Sequence, residues 1–268
     1  HTALEGRQSV VNYVKNIQQP INAQRGNQLP VSTFVQDADG TVPQGTAAYE
    51  KRGIAVDVPQ WIADNCIQCN ICSYVCPHSV IRPAALTEGE LAAAPAGTTA
   101  QDIKQVPGMK FVMTVSVLDC TGCGSCVAEC PAKEKALVMK PLESQLPAQE
   151  VYDYAQKIGE KPEVIEKFKA TTVKGSQFKQ PLFEFSGACA GCGEPPYAKL
   201  ATQLFGDRMM IANATGCSSI WAGSTPSTPY TVNKEGKGPS WANSLFEDNA
   251  EFGLGMELAQ KAIRKRLI

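Results

Sequence analysis

Eleven cysteines stand in three groups, and their spacing restricts the chemistry they can do. Cys66, Cys69, Cys72 and Cys76 are separated by two, two and three residues and are closed by Pro77; Cys120, Cys123, Cys126 and Cys130 repeat that pattern and are closed by Pro131. A tight loop with two residues between successive cysteines aims three thiolates at three corners of one iron–sulfur cube, while the fourth, carried off by a turn, points elsewhere. The expected ligation is therefore crossed. One 4Fe-4S cluster takes Cys66, Cys69, Cys72 and Cys130, and the other takes Cys120, Cys123, Cys126 and Cys76. The same pairs could hold structural zinc, which wants four ligands per site, although the spacing favours electron-transfer clusters. Only two histidines exist, His1 and His78, so a Cys/His zinc cluster, a Ser/His/Asp triad or a Cys/His nucleophile is hard to assemble.

Both runs match the bacterial two-cluster ferredoxin pattern residue for residue. Pro77 and Pro131 are expected to end the helical turn carrying each fourth cysteine, and each removes a backbone donor that would otherwise need a partner. Gly122 and Gly124 let backbone amides approach the second cluster, whereas the first loop carries the bulkier Gln68 and Asn70 at those places. His78 reads either as half-buried packing or as a donor to a cluster sulfur.

The remaining three cysteines are Cys189 and Cys192, within Cys189-Ala190-Gly191-Cys192-Gly193-Glu194, and Cys217, within Ala214-Thr215-Gly216-Cys217-Ser218. A thioredoxin-like dithiol would leave the third one surplus, so three thiolates suggest a third cluster whose fourth ligand lies beyond Ile268. An open-coordinated iron is the alternative at that site, and Cys217 as a buried small hydrophobe is the plainer reading.

Around these groups the 268 residues read as an α+β chain. Val10, Val11, Val14 and Ile17 mark a helix that should stop at Pro20, and the next thirty or so residues read as loop with one strand at Val31 to Val35. Strands are expected at Gly53 to Pro59 and Lys110 to Val117, each leading into a cysteine run, and residues 83–107 read as an inserted loop. Residues 144–169 look helical, with Val151, Tyr154, Ile158, Val164, Ile165 and Phe168 facing inward. From Gln180, short β-like runs at Leu182 to Phe185 and Met209 to Ala212 alternate with helices at 195–205 and 249–267. The boundaries expected are a linker region over 1–58, a ferredoxin-like domain over 59–142, a helical connector over 143–179 and the start of an α/β domain over 180–268.

The balance of 25 basic and 26 acidic residues gives a net charge of −1, too little positive field to hold nucleic acid. No apolar run could span a bilayer and no secretory signal opens the chain, so a reducing compartment is expected. The absence of an initiator Met and the uncapped end at Ile268 suggest a piece of a longer polypeptide.

Taken together the motifs resemble those of the pyruvate:ferredoxin (flavodoxin) oxidoreductases. Glu50-Lys51-Arg52, alone a solvated charge triplet, resembles the marker of that family's linker domain. The stretches around Cys189 and Cys217, and Ser244 to Gly253, resemble the opening of its thiamine diphosphate domain. The resemblance implies oxidative decarboxylation of pyruvate to acetyl-CoA and CO2, with electrons leaving singly through three 4Fe-4S clusters to ferredoxin or flavodoxin. It further implies that Cys189, Cys192 and Cys217 bind the cluster nearest the thiamine, that Glu194 and Cys217 contact thiamine diphosphate, and that a homodimer forms. The magnesium and diphosphate site, the pyruvate site and most coenzyme A contacts fall outside these residues, so no catalytic residue is assigned and this piece alone is not expected to turn over. The location implied is cytoplasmic, or hydrogenosomal in an anaerobic protist. The rivals are a stand-alone polyferredoxin with a zinc site at the third group, and a relative that delivers electrons to NADP.

Overall fold

In a computed structural model, which describes residues 7–223 and 226–268, strand pairing ties the two cysteine repeats together. His1 lies outside the described residues. β1 (Asp57–Trp61) pairs antiparallel with β5 (Leu137–Pro141), placing Trp61 opposite Leu137. β2 (Ile81–Thr87), β3 (Gln101–Asp102) and β4 (Met109–Val115) form an antiparallel sheet in the order β2-β4-β3. β1 precedes the first cysteine run and β5 follows the second, while β2 follows the first and β4 precedes the second. Each antiparallel ladder, β1 with β5 and β2 with β4, thus joins one repeat to the other.

The pairing is held by a core in which Val58, Ile81, Phe111, Val117 and Leu137 are fully buried. Phe111 sits edge-on to Trp61 at 5.9 Å and to Phe178 at 6.2 Å, geometries that add to the apolar area buried. Truncating such a side chain to Ala would cost about 3–5 kcal/mol. The first strand starts later than the apolar run suggested, because pairing partners for β1 begin only at Asp57.

Residues 83–107 are not simply an inserted loop. β2 occupies their beginning, Thr87 caps the Glu88–Ala92 helix in a reciprocal capping box with Glu90, and Ile103 and Val106 are buried. The expected helical stretch over 144–169 is broken into Leu142–Gln145, Pro147–Ile158 and Pro162–Lys167. In the middle segment Gln149, Tyr152 and Ala155 are the buried residues, in place of Val151, Tyr154 and Ile158. Gln149 turns inward because its carboxamide oxygen accepts from the Ser116 hydroxyl and the Leu118 amide. Leu182 to Phe185 does not extend into a strand.

By spatial grouping the chain forms two units, one of Glu50–Phe185 with Cys189–Leu204 and one of the described residues through Tyr49 with Ser186–Ala188 and Phe205–Ile268. In the second of these the opening helix does not stop at Pro20: a π-turn over Val14–Gln18 carries it into Gln19–Asn22. A π-turn shifts the hydrogen-bond register, so the missing proline N–H breaks no ladder. Val31–Asp37 is a 3-10 helix rather than a strand. The Thr46 hydroxyl accepts from the Thr228 amide at 2.6 Å and the Gly45 amide donates to the Tyr230 carbonyl at 2.7 Å. β6 (Met210–Asn213) and β7 (Ser240–Asn243) run parallel, with the Cys217–Gly223 and Asn249–Leu267 helices following them in sequence. Among the described residues no helix is long and apolar enough to cross a membrane.

Candidate metal centre

The two ferredoxin-type loops share one backbone despite different side chains. Gln68 and Asn70 adopt φ of 59° and 63°, matching 70° and 74° at Gly122 and Gly124. The left-handed conformation puts the Gln68 amide 3.4 Å from the Cys66 sulfur and the Gly122 amide 3.4 Å from the Cys120 sulfur. A non-glycine residue held there costs about 1–2 kcal/mol, and both side chains in the first loop are tethered. Gln68 donates to Gln101 Oε1 and to the Asp102 carbonyl, while buried Asn70 donates to the Lys174 carbonyl at 2.9 Å. In the second loop the space is taken: a Cβ on Gly122 would lie 3.0 Å from the Asp57 carbonyl and 3.3 Å from the Ala55 Cβ.

Short helices over Ile71–Val75 and Ser125–Ala128 end one residue short of Cys76 and two short of Cys130, so each fourth cysteine leaves its own loop. Cys76, Cys120, Cys123 and Cys126 line one pocket together with Pro77, His78 and Thr121. His78 is buried there. Cys130 packs with Ala132 and Ala136, and Cys66 packs against that group.

Burial pushes the Cys66 thiol up, and the neighbouring Cys69 and Cys130 push it further, against the Gln68 amide that lowers it. Cys72 is raised by burial and then by Cys66, Cys69 and Cys130. Burial raises Cys120 to about 12 against the Gly122 amide, with Cys76 and Cys123 adding to the rise. Burial, followed by Cys76, Cys72, Cys120 and Cys123, raises Cys126. Thiols so disfavoured as anions become thiolates when a cation binds them. The electrostatic neighbours therefore fall into two sets of four drawn across the repeats, with Cys72 also acting on Cys126. Among the described residues no three His, Cys, Asp or Glu side chains gather around a single metal ion; the thiolates of an iron–sulfur cube stand further apart than those of such a site.

Cys189, Cys192 and Glu194 belong to the unit that holds these loops, and Cys217 to the other. A Cβ on Gly191 would lie 3.6 Å from the Cys123 Cβ and 3.8 Å from the Ser125 hydroxyl, so the Cys189–Cys192 loop rests on the second ferredoxin-type loop. Cys189 and Cys217 are exposed, which removes the reading of Cys217 as a buried small hydrophobe. Glu194 is exposed just before the Pro195–Phe205 helix.

Two charged residues at the centre carry no sequence signal of their role. Lys51, of the Glu-Lys-Arg triplet, is half-buried in an ion pair with Asp119, the neighbour of Cys120, and lies 4.6 Å over the Phe185 ring. Burial raises the Asp119 carboxyl while Lys51 holds it down. Lys199 is 1% exposed, on a helix whose buried face is Pro195, Lys199, Thr202 and Gln203. A search for apolar periodicity would place that lysine outside.

Two family models match the chain: the EKR domain, a domain of unknown function, over residues 3–55, and a 4Fe-4S dicluster domain over residues 65–134. The ferredoxin-like part of the chain is thus a 4Fe-4S dicluster domain. The chain is 60% identical over 250 residues to the pyruvate:ferredoxin oxidoreductase of Moorella thermoacetica, covering 92% of this chain and 21% of that protein. It is 58% identical to the pyruvate-flavodoxin oxidoreductase of Enterobacter agglomerans, over 95% of this chain and 22% of the relative. To the pyruvate dehydrogenase [NADP(+)] of Cryptosporidium parvum it is 54% identical, over 95% of this chain and 13% of that protein. The resemblance to pyruvate:ferredoxin and pyruvate-flavodoxin oxidoreductases therefore extends along nearly the whole chain, which spans about a fifth of their length.

Proposed function

We propose that this chain is the electron-exit segment of a pyruvate:ferredoxin or pyruvate-flavodoxin oxidoreductase, converting pyruvate and coenzyme A to acetyl-CoA and CO2 in the whole enzyme. The observation that carries the proposal is the cavity lined by Cys76, from one repeat, with Cys120, Cys123 and Cys126, from the other. On this reading that set ligates one 4Fe-4S cluster and Cys66, Cys69, Cys72 and Cys130 ligate the second. Each cluster, when bound, supplies a one-electron relay. The chain's own part is to hold the thiolates, exclude water from the buried sulfurs and aim amides at them, which tunes potential.

Cys189, Cys192 and Cys217 are proposed for a third 4Fe-4S cluster completed by a ligand from elsewhere in the polypeptide, with Glu194 and Cys217 touching thiamine diphosphate, which binds with magnesium. Thiamine diphosphate, when bound, acts as the electron sink for decarboxylation. Glu194 and Cys217 are exposed, as contact with a group held partly by other segments requires. The proximity of Gly191 to Cys123 and Ser125, which an added Cβ would reach, supports an order. Electrons enter at the third group, pass to the Cys76, Cys120, Cys123 and Cys126 site, then to the Cys66, Cys69, Cys72 and Cys130 site and the soluble acceptor.

The segments proposed are the Glu-Lys-Arg linker region (1–58), the ferredoxin-like domain (59–142), the helical connector (143–179) and the N-terminal part of the thiamine diphosphate domain (180–268). A reducing compartment such as the cytoplasm suits the thiolate chemistry, and the family resemblance points to a homodimer. The NADP-linked relatives favour a second reading, in which the acceptor is a fused flavin reductase that passes electrons to NADP.

The test is Cys130→Ala in the full-length, anaerobically purified protein. The expected result is loss of the cluster held by Cys66, Cys69 and Cys72, with the Cys120 site retaining its paramagnetic signal on reduction. Iron loss at the Cys120 site instead would refute the crossed ligation. Zinc at the third group, with eight irons in the unaltered protein, would favour the polyferredoxin.

A further inference from the structure

Among the described residues the Lys199 ammonium has no carboxylate partner. It donates to the Ser73 carbonyl and, at 3.1 Å, to the Tyr74 carbonyl. Those two residues lie on the Ile71–Val75 helix between Cys72 and Cys76, which the cluster reading assigns to different clusters. An ammonium in a dry interior is costly unless negative charge compensates it. Burial pulls the Lys199 amine down to about 8, Cys76 and Cys72 act to keep it charged, and Arg82 opposes them. Arg82 has its own counter-charge in Glu184, so Glu184 is not the partner of Lys199. The other polar groups facing this lysine's helix, Gln177 and the Thr202 hydroxyl, are neutral, and Gln177 is satisfied by Ser73, Ser176 and Gln203. The thiolates are then the negative charge this cation has to balance.

We propose that Lys199 is a fixed positive charge that raises the reduction potential of the two ferredoxin-type clusters, acting on both because it binds the backbone between Cys72 and Cys76. The inference rests on the cluster reading above. Reduction adds one electron, and no proton, to an already anionic ligand set, so a nearby buried cation stabilises the reduced form more than the oxidised one. Capping the last carbonyls of a short helix is something a neutral donor also does; compensating added negative charge is not.

The experiment is a redox titration followed by paramagnetic resonance, on the full-length iron-loaded protein with and without Lys199→Gln and Lys199→Arg. Gln keeps an N–H donor and loses the charge. At fixed ambient potential the ratio of reduced to oxidised cluster should fall about tenfold in Lys199→Gln, equivalent to about 59 mV for a one-electron couple, and stay at the native value in Lys199→Arg. A Gln variant with full iron and native potentials would overturn the inference. Iron loss in Gln but not in Arg, with Arg at native potential, supports the charge requirement; iron loss in both assigns Lys199 to packing and overturns it. Absence of iron–sulfur signals from the unaltered protein would refute the cluster reading instead, so the two failures are distinct.

Discussion

Substitution of Gly122 by Ala should damage the second ferredoxin-type loop far more than substitution of Gly124, although both residues have positive φ, 70° and 74°. The left-handed penalty of about 1–2 kcal/mol applies to both, and the reduced freedom of the unfolded chain returns about 0.4–1 kcal/mol in each case. Only at Gly122 does the new methyl meet rigid neighbours, the Asp57 carbonyl at 3.0 Å and the Ala55 Cβ at 3.3 Å, whereas nothing lies within 4 Å at Gly124. Overpacking of that kind adds about 1–3 kcal/mol. The net expectation is about 3 kcal/mol for Gly122→Ala and about 1 kcal/mol for Gly124→Ala, or roughly 6–12 °C and 2–4 °C in Tm. The same displacement pulls the Gly122 amide from the Cys120 sulfur, now 3.4 Å away, so the potential of that cluster should fall in Gly122→Ala alone. Thermal denaturation with parallel iron assays and redox titration checks both parts. Equal destabilisation by the two variants would show that the contacts with Asp57 and Ala55 do not constrain the loop.

Glu184→Gln leaves the buried Arg82 guanidinium short of its counter-charge and should cost about 3–5 kcal/mol, while breaking the exposed Lys237–Glu235 pair by Lys237→Ala should leave the urea midpoint unchanged. In iron-free protein the raised thiols of Cys66, Cys72, Cys120 and Cys126 contribute stability below the unfolded cysteine value of about 8.5. That contribution should be lost as pH climbs toward the folded values, about 12 for Cys120, and denaturation midpoints that rise over this window would contradict the burial seen here. Glu194→Gln in the full-length enzyme should weaken thiamine diphosphate binding by calorimetry and leave iron content unchanged; native affinity would remove the residue from that site.

The cysteine runs, the glycine positions and the helices over 195–205 and 249–267 were legible because each depends on local spacing or on periodicity within one segment. By residue type alone, Gln68 and Asn70 looked like a departure from the glycine loop. The fold shows the same left-handed backbone there, maintained by tethers to Asp102 and Lys174 that are remote in sequence. What only the tertiary structure decided was longer range. Pairing of β1 with β5 and of β2 with β4 draws cysteines from opposite repeats toward one another, and residue spacing within a run says nothing about such ladders. The same holds for Lys51 beside Asp119, 68 residues apart, and for Lys199 beneath Ser73, 126 residues apart. A lysine reads as surface in any hydropathy pattern, since burying its charge is unfavourable until a partner from a distant segment is in place. That partner exists only once the chain has closed.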